Sequence, residues 1–216
     1  MDPQVPSGAA PPRVLKPLIR LLLLLAVVIV VSLGWARLSA RRSRDRLALV
    51  RATFLASSGR PPDRSPDLKD VALRGATVAL RVPRHWAEEY PDEDHASFRD
   101  PGSPGRVLRV ACEDVAPGGP GARAVLQERA GATATSLQDL AGGHVLLKCA
   151  DSVREGGEDK VALRWLIAAP GPTRTRLATF TLTVPERAGL DPLTGDVVAL
   201  LEREIRAARV DGGVGL

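Results

Sequence analysis

The chain has 216 residues and a formal net charge of +5, unevenly distributed: residues 1–60 contain 10 basic and 2 acidic side chains, and residues 61–216 contain 20 and 23. A nucleic-acid-binding surface needs basic residues clustered on the folded part with aromatic residues between them, and aromatic residues make up only 3% of this chain. The composition therefore argues against a nucleic-acid partner and is typical of a basic segment beside a membrane.

Residues 1–16 are rich in proline and glycine and are predicted to form a disordered tail. Residues 17–40 are predicted to form a single transmembrane helix, because the 16 uncharged residues 21–36 make a helix apolar on every face. If Arg20 and Arg37 snorkel, the span reaches about 20 residues, which matches a hydrocarbon core of about 30 Å. A cleaved signal peptide and a soluble helix are the alternatives. The signal peptide is disfavoured because its only candidate cleavage site, Gly34-Trp35-Ala36, is followed directly by Arg37 and further arginines.

The basic residues that flank the predicted span bear on its orientation. Three precede it, and six follow it: Arg37, Arg41, Arg42, Arg44, Arg46 and Arg51. The positive-inside rule slightly favours a cytoplasmic domain after the span, while a periplasmic domain stays open because the short N-terminal tail is also basic. We therefore predict a single-pass protein of the inner membrane, with the lipid bilayer as a partner.

Residues 41–58 are predicted to continue as a basic helical stem. Leu47, Val50 and Phe54 follow the i, i+3, i+7 spacing of a short apolar stripe. A stem that packs on nothing is slightly favoured over a stem that binds a partner. A glycine and two prolines then end the helix, and residues 59–67 are predicted to be a proline-rich linker.

Residues 68–210 are predicted to form an α+β domain with a largely antiparallel sheet flanked by helices, followed by a flexible tail at 211–216. Apolar and polar residues alternate along a hairpin around Gly75, a short strand around Phe98, and four longer strands at 106–115, 144–151, 160–170 and 174–186. A middle helix carries Val125 and Leu126. The last helix, at 194–210, presents the stripe Val197, Leu201, Ile205 and Ala208, with Asp196 in its first turn and Arg206 and Arg209 in its last.

The order of three segments resembles a known fold. An extended start ends in VALRVPRHW at 78–86, ASFRDPGSPGRVLRVACED follows at 96–114, and a late hairpin at 162–185 runs into the terminal helix. In this order they resemble the PsbP-like fold superfamily, which includes the Mog proteins, over residues 70–210. The resemblance implies an antiparallel sheet sandwiched by helices and a generally non-enzymatic protein that acts by binding.

Cys112 and Cys149 both fall on core-facing positions of predicted strands. If those strands are neighbours, a disulfide is possible, and it would indicate an oxidising compartment and hence a periplasmic domain. Two buried thiols in an aliphatic core are favoured, because free cysteine packs as a small apolar residue.

Motifs for metal or cofactor chemistry are weak in this sequence. The acidic segment 87–95 lacks the ligand spacing of an EF-hand, so a solvated loop is favoured over a Ca²⁺ site. That segment includes His95; the other two histidines, His85 and His144, are isolated, and no CxxC or HExxH pattern is present. The glycine-rich turn at 117–123 lacks the Lys-Ser/Thr pair of a P-loop, and no nucleophile elbow is present. We therefore predict no cofactor.

The features together predict a single-pass, membrane-anchored, non-enzymatic α+β binding module that acts as a scaffold, chaperone or envelope accessory protein for a protein partner. The alternative is a small membrane-tethered hydrolase or ligand-modifying enzyme that uses carboxylates of the domain. A third hypothesis is that the arginine-rich stem itself recruits anionic lipids.

Overall fold

The computed structural model describes residues 48–50, 52–55, 67–75, 77–115, 121–130, 136–186 and 192–211. The predicted tail at 1–16 and the predicted transmembrane helix at 17–40 lie outside these residues, as do nearly all of the predicted linker and C-terminal tail. Within the described ranges, no helix combines the length and the apolar character needed to cross a bilayer.

The described residues form a strand-rich domain with two helices of at least nine residues. The strands are β1 (Leu68–Leu73), β2 (Val78–Pro83), β3 (Ala87–Glu89), β4 (His95–Arg99), β5 (Val107–Val115), β6 (Ser136–Asp139), β7 (Val145–Glu155), β8 (Glu158–Pro170), β9 (Thr175–Pro185) and β10 (Arg209–Val210). The helices are α1 (Ala122–Ala130) and α2 (Pro192–Arg206). The helical residues 48–50 and 52–55 are called the N-terminal helical segment below.

The strands divide into two sheets. One has the order β1-β2-β10, and the other has the order β3-β4-β5-β9-β8-β7-β6. Every strand pair among the described residues is antiparallel. The prediction of an α+β domain with a largely antiparallel sheet is therefore confirmed, although the strands form two sheets.

The larger sheet buries side chains on both faces, which creates two cores. On one face, Trp165, Phe180 and Leu182 belong to a main core that also contains side chains of β1, β2 and α2. On the other face, residues of β7, β8 and β9 pack with α1 in a second core. The alternation of the sequence predicted the first set correctly, because successive side chains of a strand point to opposite faces.

The N-terminal helical segment belongs to the main core. Val50 is 6% exposed and Phe54 is 2% exposed, and both pack in that core. The predicted apolar stripe is thus confirmed at these two positions, but the prediction that the stem packs on nothing is wrong. The domain itself offers the apolar surface against which the stripe is buried.

Helix α2 begins earlier and ends earlier than predicted. It starts at Pro192, whose fixed φ suits the first position of a helix, so Asp196 lies beyond the first turn. The helix ends at Arg206, and Arg209 belongs to β10 instead of the last helical turn. The chain leaves the helix because pairing of Val210 with Val78 adds a strand to the small sheet and buries Val210.

Candidate functional site

A buried ion pair joins the centre of the larger sheet to α2. The register of β7 and β8 places Lys148 directly opposite Trp165. Lys148 Nζ donates to Glu202 Oε1 and Oε2, each at 3.0 Å, and both side chains are 0% exposed. Burying two charges carries a large desolvation penalty that their attraction offsets only in good geometry. An ion pair that is buried this deeply therefore depends on the close geometry of these two side chains, and we take it as the centre of the candidate site.

Phe54 of the N-terminal helical segment lies over this ion pair. Lys148 Nζ is 4.7 Å from the centre of the Phe54 ring, which is the geometry of a cation–π contact. The Phe54 ring also meets the Trp165 ring edge to face, with centroids 4.9 Å apart and an interplanar angle of 82°. Phe54 therefore covers one side of the Lys148 ammonium.

Further hydrogen bonds hold Glu202 in place. Arg206, one turn later in α2, donates to Glu202 Oε1 from Nε at 3.1 Å and from Nη2 at 2.9 Å. Arg206 Nη2 also donates to Gln138 Oε1 of β6 at 2.6 Å. Burial lowers the pKa of the Lys148 ammonium, and the hydrogen bond to Glu202 opposes that change. Contacts within the domain thus fix the position of the Glu202 carboxylate.

Sequence reasoning missed this ion pair. In the segment 144–151 the alternation places Cys149 on the core-facing side, and Lys148 falls on the opposite parity. Leu146 and Ala150, which share its parity, are both buried. The usable signal was a strand apolar on both parities apart from one lysine, which indicates a sheet covered on both faces.

Three arginines surround Asp114 at the end of β5. Arg174 Nη1 lies 2.7 Å and Arg74 Nη1 lies 3.2 Å from Asp114 Oδ2, and Arg176 Nε lies 2.9 Å from Asp114 Oδ1. Burial raises the pKa of the Asp114 carboxyl, but the hydrogen bond and charge of Arg176, with the other two arginines, outweigh burial and lower it overall. This network ties β5 to β9 and to the turn between β1 and β2.

Cys112 and Cys149 are both buried thiols, and neither belongs to a disulfide. Cys112 lies in the main core and Cys149 in the second core, on opposite faces of the larger sheet. Two strands, β9 and β8, separate β5 from β7, so a disulfide between the two residues is not formed. Burial raises the pKa of the Cys112 thiol, against the opposing charges of Arg176 and Arg74.

Arg106 anchors the start of α2. Its Nη1 donates to Asp100 Oδ2 at 2.7 Å, and its Nη2 donates to Thr194 Oγ1 at 2.8 Å. All three residues are buried. Because the bond to Thr194 joins residues 88 positions apart, it fixes the approach of α2 to the larger sheet.

The acidic segment 87–95 forms β3, a turn and the start of β4. Asp92 Oδ1 accepts from the Asp94 backbone N–H at 2.8 Å and lies 2.8 Å from His95 Nδ1. Among the described residues, no group of three or more His, Cys, Asp or Glu side chains is arranged to hold a metal ion. The arginines predicted to flank a membrane lie outside the described residues: Arg37, Arg41, Arg42, Arg44 and Arg46.

No protein-family model and no curated protein matches this sequence. Solved structures show a partial similarity to this chain. A protein of Bacteroides thetaiotaomicron VPI-5482 is 20% identical with a TM-score of 0.43, covering 61% of this chain; this chain spans about half of that protein, 46% of its length. LpqN, involved in cell envelope biogenesis of Mycobacterium tuberculosis, is 15% identical with a TM-score of 0.43, covering 64% of this chain and 90% of its own.

The Ran-binding protein Mog1p of Saccharomyces cerevisiae is also similar in structure. It is 12% identical with a TM-score of 0.41, and the match covers 68% of this chain and 97% of Mog1p. At these TM-scores and identities, the similarities assign neither a family nor a function to this chain. The resemblance to the PsbP-like superfamily stays a prediction.

Proposed function

We propose that this chain is a membrane-anchored, non-enzymatic binding module whose α+β domain is held close to the bilayer to contact a protein partner. The observation that carries the proposal is the burial of Phe54 in the main core. Residues 48–50 and 52–55, which follow the predicted span, thereby belong to the domain, so an anchor at 17–40 would hold the domain on a short length of chain.

Chain length limits the distance between the domain and the bilayer. Nine residues, 41–49, lie between residue 40, where the predicted span ends, and Val50, which is buried in the domain. The ten steps from residue 40 to Val50 would cover about 15 Å in an α-helix and at most about 36 Å in a fully extended chain. A partner of this domain therefore lies in the membrane or within a few tens of ångströms of it.

The buried carboxylates of the domain support binding over the alternative of a hydrolase. Asp100 pairs with Arg106 at 2.7 Å, Glu202 with Lys148 at 3.0 Å, and Glu204 with Arg81 at 2.8 Å. A general acid or base must reach the proton that it transfers. Carboxylates that are engaged in ion pairs between elements instead hold the domain together.

Alkaline extraction of membranes from cells expressing the full chain tests the anchor. We expect the wild-type chain to stay in the membrane pellet, and the double variant Val28→Arg and Ile29→Arg to move to the supernatant, because charges at a bilayer centre are costly. The matched control places the same two arginines in the tail, at Ala9 and Ala10, and should stay in the pellet. A wild-type chain found in the supernatant without detergent would overturn the proposal.

A further inference from the structure

The edge strands of the two sheets differ in length. The smaller sheet ends in β1 and β10, and the larger sheet ends in β3 and β6. Three of these strands are short, with three residues in β3, four in β6 and two in β10, whereas β1 has six. A very short edge strand gives another chain little backbone to pair with. Among the described residues, β1 is therefore the edge with the longest template for a further strand.

Asp70 and Ala72 direct their backbone groups away from the smaller sheet. Just before β1, the Arg84 N–H donates to the Asp67 carbonyl oxygen at 2.9 Å, and β1 pairs with β2 in the same register. Hydrogen-bonded and non-hydrogen-bonded pairs alternate in an antiparallel ladder, so the odd-numbered residues of β1 bond to β2 and the even-numbered ones do not. In the part of the chain that the structure describes, no other backbone group bonds to the N–H or C=O of Asp70 or Ala72.

Contacts at its two ends limit the open part of this edge. Directly after β1, the Arg74 N–H donates to the Glu93 carbonyl oxygen at 3.0 Å. Near the start of β1, Lys69 Nζ donates to the Trp86 carbonyl oxygen at 2.9 Å. The open edge is thus the middle of β1, which fits a short extended segment.

The unpaired charges beside this edge are acidic. Asp70 and Glu93 are exposed, and neither belongs to an ion pair among the described residues. The neighbouring cations Lys69, Arg74 and Arg81 each lie close to another carboxylate. Arg81 stands directly opposite Asp70 on β2, yet it is held at 2.8 Å by a buried glutamate of α2. A basic segment therefore complements the edge in charge.

We propose that the free edge of β1 docks an extended basic segment of the protein partner, which adds to the smaller sheet as a further strand. Main-chain hydrogen bonds to Asp70 and Ala72 supply affinity, as in other cases of strand addition. Side chains of the added strand alternate between the two faces of the sheet, so lysine or arginine at every second position lies on the side of Asp70. This inference names the kind of partner and rests on the proposed binding function, but it does not depend on the membrane anchor.

Hydrogen–deuterium exchange of the full chain in phosphatidylcholine nanodiscs, resolved by residue, tests the edge. Without a ligand, the amides of Asp70 and Ala72 should exchange fast and those of Val71 and Leu73 slowly, because only the latter two bond to β2. The probe is a synthetic peptide as long as β1, in which lysine alternates with valine. At a concentration about ten times its Kd, the peptide should slow exchange at Asp70 and Ala72 by about tenfold.

Two control peptides separate strand pairing from charge attraction. A peptide in which glutamate alternates with valine has the same length but the opposite charge. A fully N-methylated version of the lysine–valine peptide keeps the charge but has no backbone donor. We expect neither peptide to slow exchange at Asp70 or Ala72.

Two variants test the residues of the edge. Asp70→Lys should weaken binding of the lysine–valine peptide by about fivefold or more, because an attractive pair becomes a repulsive one. Its matched control is Asp159→Lys, at an exposed aspartate of β8 in the other sheet, and it should bind the peptide as the wild type does. Ala72→Pro removes an N–H that does not bond to β2, a change that edge strands tolerate, and it should also weaken binding. If Ala72→Pro does not fold, Asp70→Lys decides alone.

Several outcomes would overturn the inference. Exchange at Asp70 and Ala72 that the lysine–valine peptide leaves unchanged would exclude strand addition at this edge, and equal slowing by the N-methylated peptide would indicate charge attraction alone. Slow exchange at both amides without peptide, which becomes fast with one chain in each nanodisc, would identify a second copy as the occupant. If the wild-type chain remains in the pellet after alkaline extraction but the peptide does not bind, only this inference fails.

Discussion

Lys148 Nζ lies 3.0 Å from both carboxylate oxygens of Glu202, and neither side chain is exposed. The two residues are 54 positions apart in the sequence and join β7 to α2. Each charge is acceptable in the core only because the other is present.

Removal of one member of this ion pair should strongly destabilise the domain. We expect Lys148→Met or Glu202→Gln to lower the free energy of unfolding by about 3–5 kcal/mol, because the remaining charge stays buried without its partner. The double variant Lys148→Met and Glu202→Met should lose less than the sum of the two single losses. Urea denaturation followed by circular dichroism measures these values.

The control is Arg84→Gln, which breaks the Arg84–Asp67 ion pair whose side chains are 62% and 73% exposed. It should change the free energy of unfolding by less than about 1 kcal/mol. A loss in Lys148→Met no larger than in this control would contradict the structural role of the buried pair.

Gly105 leaves no room for a side chain. A Cβ at this position would lie 2.5 Å from Cγ and 3.1 Å from Cδ of Pro185, the last residue of β9. Gly105→Ala should therefore destabilise the domain by about 1–3 kcal/mol, as overpacking does. A Cβ added at Gly195 in α2 would meet no other atom within 4 Å, and Gly195→Ala should be neutral or stabilise by up to about 1 kcal/mol. Thermal unfolding of the two variants, compared with the wild type, measures whether the melting temperature falls in Gly105→Ala and stays the same or rises in Gly195→Ala.

Asp114 should make part of the stability depend on acid pH. Its pKa lies below the ordinary value in the folded state because the arginines outweigh the effect of burial. A carboxyl with a lowered folded-state pKa stabilises the fold above its ordinary pKa, and this contribution is lost as the pH falls through that value toward the folded-state pKa. Asp114→Asn should lose about 1.5–3 kcal/mol at neutral pH and much less at acid pH. Unfolding free energies at several pH values below 7 measure the difference, and an equal loss at all pH values would refute the assignment.

Cys112 and Cys149 should remain thiols in the native protein. They lie in separate cores with two strands between their own strands, which places them at least about 14 Å apart at about 4.8 Å for each strand spacing, beyond the reach of a disulfide. A maleimide reagent should modify both residues only after denaturation, without prior reduction. A requirement for reductant would show that they are bridged and would favour a periplasmic domain.

The orientation of the chain should respond to the stem arginines. In a chain with a topology reporter after Leu216, glutamine at positions 41, 42, 44 and 46 should shift the reporter toward the periplasmic side, because these residues dominate the positive charge after the predicted span. The control replaces four exposed domain residues: Arg84, Arg99, Arg123 and Arg129. An unchanged reporter distribution in the stem variant would argue against any role of the cluster in orientation.

Most strands of the domain could be predicted because their signal is local. Along β9, Phe180, Leu182 and Val184 are buried, and the alternating threonines showed which residues face the other way. The same signal placed Val78, Leu80 and Val82 on one face of β2. A period of two residues can be read without knowing which strands are neighbours.

The neighbours of each strand could not be predicted in the same way. Cys112 and Cys149 were both correctly predicted to be buried, yet they belong to different cores. The alternation of a strand shows which of its side chains share a face, but it does not show which face of the sheet that is. The strand order β5-β9-β8-β7 decides this. The same limit applies to Asp114, whose arginine partners come from a turn, a loop and a strand.

By itself, the sequence determined where apolar and polar residues alternate, which side chains are apolar enough to be buried, and that Leu47, Val50 and Phe54 form an apolar stripe. Only the tertiary structure decided that this stripe is buried on the domain and that Lys148, Glu202 and Phe54 meet. The periodicity of a helix or strand is visible in residues a few positions apart. A buried charge instead depends on an oppositely charged residue that is distant in the sequence and is brought close by folding, so the sequence around the charge does not identify its partner.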